Sequence, residues 1–274
     1  MNPSRYSLTF ACYNSVNYTK LCIDSLVRCG TPLDRLVVVD NGSSDETRSY
    51  LHTLELGGRI YNKQNLGCGV AWNQGALELQ SEWTIIMNND IIVSPQWIEK
   101  LIGAAERKGL KVISPAMIEG TLDYDFEALQ KNASTEMKDV YRIGARHAVC
   151  LAIHESVWLD IGYFQPTPKL LGYEDTIFFN QLKKENIQTA ITGAAWLHHF
   201  GSITQTAMKL ERGLKLDTNL GNRYNYKLLH QSWLERKLQK VRRKYQETNW
   251  LKNELAEFDM SIHGLRKPWG FHWL

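Results

Sequence analysis

Trp83-Thr84-Ile85-Ile86-Met87-Asn88-Asn89-Asp90-Ile91 carries the decisive signal of this chain. Residues 83–87 are aromatic, β-branched or long and apolar, a composition that suits a buried strand. They run straight into three polar side chains. Strands of an open α/β sheet end at the ligand crevice, so this strand delivers Asn88, Asn89 and Asp90 to that rim. One carboxylate there can hold a divalent cation, and adjacent amides can hold ribose or phosphate oxygens. The stretch points to a nucleotide-binding enzyme.

The flanking sequence repeats the pattern. Ser7-Leu8-Thr9-Phe10-Ala11-Cys12-Tyr13 reads as a first strand, and residues 16–29 read as a helix stopped by Gly30. Leu36-Val37-Val38-Val39-Asp40 is a β-branched run of the kind buried on both faces. Asn41-Gly42-Ser43-Ser44-Asp45 is a turn, with Ser44 or Asp45 placed to cap the next helix. A short strand at Arg59-Ile60-Tyr61, the loop Asn65-Leu66-Gly67-Cys68-Gly69 and a helix over 69–80 lead into the Trp83 strand. Another helix is expected over 95–107, with Ser94 as N-cap and Pro95 in its first turn. Residues 120–138 lose periodicity and read as a loop. A short helix near 154–160 follows, then Gly162-Tyr163-Phe164. Gly172-Tyr173-Glu174-Asp175 opens a helix through Lys184, and strands end in Trp196-Leu197-His198-His199. This alternation implies a parallel sheet with helices on both faces. The polar clusters Tyr13-Asn14, Asp40-Asn41 and Asn88-Asn89-Asp90 all follow strands and should gather along one edge.

Of the 274 residues, 43% are hydrophobic and 22% charged, ordinary for a globular chain with a substantial core. No apolar run is long enough to span a membrane, and the first residues lack a signal-peptide pattern, so a cytoplasmic location is expected. The five cysteines form no C-x-x-C pair, which argues against a zinc or disulfide framework. Charge is uneven. Residues 201–274 hold 14 Lys/Arg against 7 Asp/Glu, whereas the preceding 200 residues hold 18 against 22. A basic appendage on a mildly acidic body favours an anionic partner. Leu234, Leu238, Val241 and Tyr245 recur as a helical stripe among the basic residues of 235–244. That helix offers a docking face to an anionic membrane surface. Trp250, Trp269, Phe271 and Trp273 add aromatic weight to the same tail.

Each candidate residue has a simpler competitor. Asp90 is the metal candidate; its alternative is a helix-capping aspartate. Asp40 ends a strand and can accept a hydrogen bond from base or ribose, or merely close a turn. The glycines around Cys68 allow backbone to approach a diphosphate. The spacing Gly67-x-Gly69 places Trp72 where a dinucleotide fingerprint needs glycine. Glu174-Asp175 supplies a general base for a hydroxyl nucleophile, or only complements a helix dipole. His198-His199 offers a ligand for metal or phosphate.

Together these motifs resemble the family 2 glycosyltransferases, inverting enzymes of the GT-A fold. The likeness covers most of residues 6–204. It rests on Thr9 to Asn14, Val37 to Asp45, Asn65-Leu66-Gly67 with Asn73 and Gly75, Asn88-Asn89-Asp90, Gly162-Tyr163-Phe164, Glu174-Asp175, and His199-x-Gly201-x-x-Thr204. It implies an α/β chain with a Rossmann-like, mostly parallel central sheet flanked by helices. Residues 1–204 would be the catalytic domain, with a nucleotide-sugar half over 1–114 and an acceptor half over 115–204. Residues 205–274 would be a helical C-terminal extension. The resemblance assigns Ala11, Tyr13 and Asp40 to the nucleobase pocket, and Asn14, Asn65, Gly67, Asn73, Asn88 and Asn89 to the donor side. Asp90 would bind Mn²⁺ or Mg²⁺, with His199 on metal or diphosphate. Asp175 would be the catalytic base, supported by Glu174. Ala148, Gln165 and Ile177 depart from the family pattern, all on the acceptor side.

The implied partners are a nucleotide-sugar donor, most often UDP-linked, and a glycan, lipid-linked glycan or polysaccharide acceptor. No base-stacking motif of single-strand binders is present, which ranks nucleic acid below these. A nucleotidyltransferase making nucleotide sugars is the enzymatic alternative, but Cys12 to Tyr18 lacks the basic glycine loop that chemistry uses. A non-catalytic sugar- or nucleic-acid-binding protein is the other.

Overall fold

Four parallel strands make the first half of the sheet, in the order β3-β2-β1-β4. They are β1 (Ser4–Cys12), β2 (Leu36–Asp40), β3 (Gly58–Tyr61) and β4 (Ser81–Asn88). The computed structural model describes residues 4–167, 173–201, 203–211, 213, 215 and 229–274. Helices α1 (Val16–Arg28), α2 (Thr47–His52) and α3 (Cys68–Glu78) connect these strands. Every residue of β2 is buried, as its β-branched run requires.

Alternation along β4 divides the core. Trp83, Ile85 and Met87 pack with Cys22, Ile23 and Leu26 of α1, while Ile86 packs with Trp72, Phe164 and Phe178 on the other face. Helix α3 lies very close to β1: a Cβ on Gly75 would fall 1.8 Å from the Thr9 Oγ1. Glycine there is a packing requirement.

The second half adds β5 (Ile91–Val93), α4 (Trp97–Lys108), β6 (Val112–Glu119), α5 (Phe126–Glu136), β7 (Tyr141–Ile143) and β8 (Cys150–His154). After them come α6 (Glu155–Ile161), α7 (Glu174–Lys184) and β9 (Thr189–His199). Strand β8 enters antiparallel between β4 and β6, and β9 pairs with β5, β6 and β7. The β6–β9 register jumps between Pro115 and Ala116. Proline has no N–H to donate, so the ladder breaks there into an irregularity.

Several expectations need correction. The helix placed over 95–107 begins at Trp97, behind a left-handed Gln96, because Ile91–Val93 is itself a strand bonded to β9. Ser94 is buried and its hydroxyl caps nothing. The stretch 120–138 contains α5, capped by Asp125 accepting from the Ala128 N–H. Its buried Phe126, Gln130 and Ala133 give too sparse an apolar stripe to read from sequence. Gly172, expected to open α7, lies outside the described residues.

Beyond β9, α8 (Ile203–Glu211) is followed by a long helix, α9 (Trp233–Phe258), opened by a Ser232–Glu235 capping box. The tail then departs from the helical expectation. Strands β10 (His263–Lys267) and β11 (Gly270–Trp273) form a hairpin, and β10 joins β6 in parallel. Phe271 and Trp273 stack on each other and pack beside Tyr124. The end of α9 is tied down by Arg142, whose guanidinium binds both oxygens of Glu254 at 2.8 and 2.9 Å. The same Arg142 donates to the Ser261 hydroxyl and the Leu274 carbonyl.

Candidate active site

A cleft of about 1440 Å³ opens along the carboxyl ends of β1, β4 and β6. Ala11, Tyr13, Asn65, Asn88, Asn89, Asp90, Glu174, Asp175 and His199 all line it. Five separate segments thus deliver polar side chains to one rim, as the position of each cluster after a strand or before a helix requires.

Asp90 is 4% exposed. Its Oδ1 is buried, has no hydrogen-bond partner, and lies 3.4 Å from the His199 Nε2. The His199 Nδ1 faces Glu119 at 3.7 Å and is also unbonded. Burial alone would lower the His199 pKa; the Asp90 and Glu119 carboxylates outweigh it and raise it to about 9. The unpartnered Asp90 oxygen and the His199 Nε2, which also meets the Asn88 amide at 3.4 Å, face the same space, and a carboxylate beside an imidazole fits a divalent cation that would displace the imidazole proton. Among the described residues no group of three or more His, Cys, Asp or Glu side chains could hold a metal. The remaining coordination would therefore come from diphosphate oxygens and water, the usual arrangement for Mg²⁺ and related ions.

Strand alternation separates the two histidines. His199 faces the cleft, while His198 is fully buried behind it with its Nδ1 2.9 Å from the Tyr124 hydroxyl. Burial pushes His198 down to about 4. Of the two, only His199 lines the cleft.

Asp175 stands in the first turn of α7, reached through a left-handed Tyr173. Its Oδ1 accepts from the Thr176 N–H at 2.7 Å. Cys68 reports how closely the acids gather. Its thiol is pushed up to about 12, first by burial and then by Glu174, Asp175 and Asp90 together. Three carboxylates from two distant segments act on one residue at the start of α3, and all four residues line the cleft.

Four expected donor residues, Asn14, Asp40, Gly67 and Asn73, do not line the cleft. Asp40 is fully buried, with Oδ2 bound by Arg48 at 2.6 Å and Oδ1 accepting from the Ser43 N–H. Asn73 clasps Phe164, donating to its carbonyl and accepting from its N–H. Gly67 lines a small neighbouring pocket and supports the loop, its carbonyl accepting from Asn41. Asn41 holds Asn65 and Leu66 in place and lines the cleft itself; its place beside Asp40 was the available signal. Helix α8 crosses the cleft beside Tyr13 and Asn65. Glu211 accepts from the Tyr13 hydroxyl and from the Asn14 amide, and Met208 lies against Asn65.

Glu119 was also missed. It ends β6 as Asp40 ends β2, and it joins His199 to His263 of the C-terminal hairpin. The two histidines hold its carboxyl well below the ordinary range.

The fold and the cleft define a GT-A protein. Residues 7–165 match the model of glycosyl transferase family 2, and the chain belongs to that family. An uncharacterized glycosyltransferase of Rickettsia felis is 33% identical over 95 residues, 34% of this chain and 16% of that relative. Another, of Rickettsia typhi, is 32% identical over 98 residues, covering 35% of this chain and 30% of its own length. The matched stretch is thus a minor part of these relatives. Among solved structures, GalNAc-T7 with UDP, GalNAc and Mn²⁺ aligns with a TM-score of 0.58 at 14% identity, over 72% of this chain and 44% of that one. S. aureus TarS 1-349 aligns at 0.53 and 16% identity, over 82% and 69%. At these identities the likeness is one of fold.

Proposed function

We propose that this chain is an inverting glycosyltransferase that moves a sugar from a nucleoside diphosphate sugar, UDP-linked, to a hydroxyl of a glycan, lipid-linked glycan or polysaccharide. The observation that carries this reading is that Asp90, Glu174, Asp175 and His199, from three separate segments, line one cleft with Ala11, Tyr13 and Asn65. The nucleotide would lie between Ala11, Tyr13 and Asn65, under α8. Asp90 and His199 would hold Mn²⁺ or Mg²⁺, which offsets charge on the departing diphosphate. The GalNAc-T7 structure contains UDP and Mn²⁺, which supports the choice of donor and ion.

Asp175 takes the proton from the acceptor hydroxyl as that oxygen attacks the anomeric carbon. Attack from the face opposite the leaving group inverts the configuration in one displacement, so no enzyme nucleophile is needed. The Thr176 N–H holds the Asp175 carboxylate in its rotamer and leaves its other oxygen for the proton. Holding both substrates in line supplies much of the remaining acceleration. The test is UDP release from a panel of UDP-sugars with Mn²⁺, Mg²⁺ or EDTA. Metal-dependent release is expected; no release and no UDP binding would refute the reading.

The partner on the outer side of α9 is, in this reading, an anionic lipid surface. Leu234, Leu238, Val241 and Tyr245 share one helix face and are 52–69% exposed. Lys237 and Lys244 flank that stripe, as an interfacial helix requires. Among the described residues no helix is long and apolar enough to cross a membrane. Co-sedimentation with phosphatidylglycerol vesicles, lost in Leu238→Glu/Val241→Glu, is the expected result.

A further inference from the structure

Strand register sets three side chains abreast on the cleft face of the sheet. Strands β6 and β9 run parallel with Glu119 opposite His199, and β10 runs parallel along β6 with His263 opposite Met117. Side chains alternate across a sheet, so His199, Glu119 and His263 share one face, and all three line the cleft. Glu119 divides its carboxylate between the two histidines. Its Oε1 accepts from the His263 Nε2 at 2.8 Å, and its Oε2 lies 3.7 Å from the His199 Nδ1. That second contact is longer than a hydrogen bond, and the His199 Nδ1 is buried without a hydrogen-bond partner. The other ring nitrogen, Nε2, lies 3.4 Å from the Asp90 Oδ1 and from the Asn88 amide.

Both neighbours of His199 are held in place. Gly120, next to Glu119, has φ +120° and donates to the His199 carbonyl; a Cβ there would fall 2.8 Å from the Arg266 carbonyl oxygen. The His263 N–H donates to the Ser261 hydroxyl, and its carbonyl accepts from the Leu274 N–H. An ion pair that only pinned the hairpin would need Glu119 and His263 alone. It leaves unexplained why the second carboxylate oxygen faces a buried, unpartnered ring nitrogen. A neutral imidazole that gives Nε2 to a cation keeps its one proton on Nδ1, and a carboxylate facing that nitrogen fixes the tautomer and makes the ligand more basic. We propose that Glu119 is a positioning residue of the metal site: it accepts a hydrogen bond from the His199 Nδ1 and so presents Nε2 beside Asp90, while His263 of the C-terminal hairpin holds Glu119 for that task. This role rests on Asp90 and His199 being the cation ligands, and it makes β10 part of the metal site.

The test is titration of Mn²⁺ into the full chain, alone and with UDP, with bound ion counted by electron paramagnetic resonance against a blank of UDP without protein. Removing the group that bonds the far nitrogen of a ligand histidine costs about 10–100-fold in metal affinity, and Glu119→Ala should weaken Mn²⁺ binding by that range. Glu119→Gln keeps an oxygen for Nδ1 without the charge. Charge-assisted hydrogen bonds are about twice as strong as neutral ones, so this variant should recover about half the loss on a logarithmic scale. His263→Ala leaves Glu119 charged but unheld and should fall between wild type and Glu119→Ala. UDP affinity in EDTA, read by calorimetry, should stay unchanged in all three variants. Glu119→Ala with the Mn²⁺ affinity of wild type, Glu119→Gln no better than Glu119→Ala, or an equal loss of UDP affinity in EDTA overturns the proposal. If Glu119→Ala does not fold, wild-type Mn²⁺ affinity in both Glu119→Gln and His263→Ala overturns it. Mn²⁺ binding that is lost in His199→Ala but kept in the Glu119 variants sinks this inference alone. Wild type that binds UDP yet holds no more Mn²⁺ than the blank removes the metal reading, and this role with it.

Discussion

Removing the carboxylate of Glu254 gives the sharpest test of how the C-terminal tail is held. Arg142 and Glu254 are each about 5% exposed and meet through two short bonds. Glu254 also accepts from the Ile262 N–H, and Ile262 in turn bonds to Met117 of β6. In Glu254→Ala the guanidinium keeps only Ser261 and the Leu274 carbonyl. Breaking one side of a buried pair costs about 3–5 kcal/mol, because the remaining charge is uncompensated. At about 2.1 cal/mol/K of unfolding entropy per residue, a chain of 274 residues loses about 7 °C of Tm for ~4 kcal/mol. Differential scanning fluorimetry reads the shift, and hydrogen exchange locates it in α9 and β10. The double variant Arg142→Met/Glu254→Leu should recover at least half the loss, since apolar residues of similar size replace a buried pair at little cost. A single-variant shift under 2 °C, or a double variant no better than the single one, would refute the reasoning.

Three further outcomes are expected. Asp175→Asn should lower kcat by about 10²–10⁴-fold, the range of a lost general base, with UDP affinity within threefold of wild type; steady-state kinetics and calorimetry check it. Gly75→Ala should destabilise by about 1–3 kcal/mol in urea, because its Cβ would meet Thr9 Oγ1 at 1.8 Å and the tightly packed α3 must shift. His147 is pushed by burial to about 4 while its Nε2 bonds the Pro115 carbonyl, so the unfolded chain takes up this proton first. Its contribution is complete above pH 6.5 and fades as pH falls toward 4, by up to about 3 kcal/mol, and His147→Gln should flatten that slope in urea titrations at several pH values.

Much of the cleft's rim was legible because its polar residues sit where strands end. Any chain that runs Leu36–Val39 or Trp83–Met87 through a sheet must release Asp40 and Asn88 at the same edge, whatever surrounds them. His198-His199 was half legible. Strand alternation dictates that only one imidazole faces the cleft, yet which one depends on the register with β5 and β6. Glu119 was missed because a lone acid after an apolar run carries no local signature until His199 and His263 close around it.

The sequence alone determined the alternating α/β order, the strand ends that bear Asn88 to Asp90, and the helix that opens with Glu174-Asp175. These follow from local periodicity and from the residue types that stop it. Only the tertiary structure decided that Asp40 spends both oxygens on Arg48 and Ser43, and that Asn73 clasps Phe164. It also decided that the chain's last strands return to β6 and that α9 turns its cations into the cleft. Those outcomes rest on contacts between residues far apart in the chain, whose partners are set by packing and charge in three dimensions.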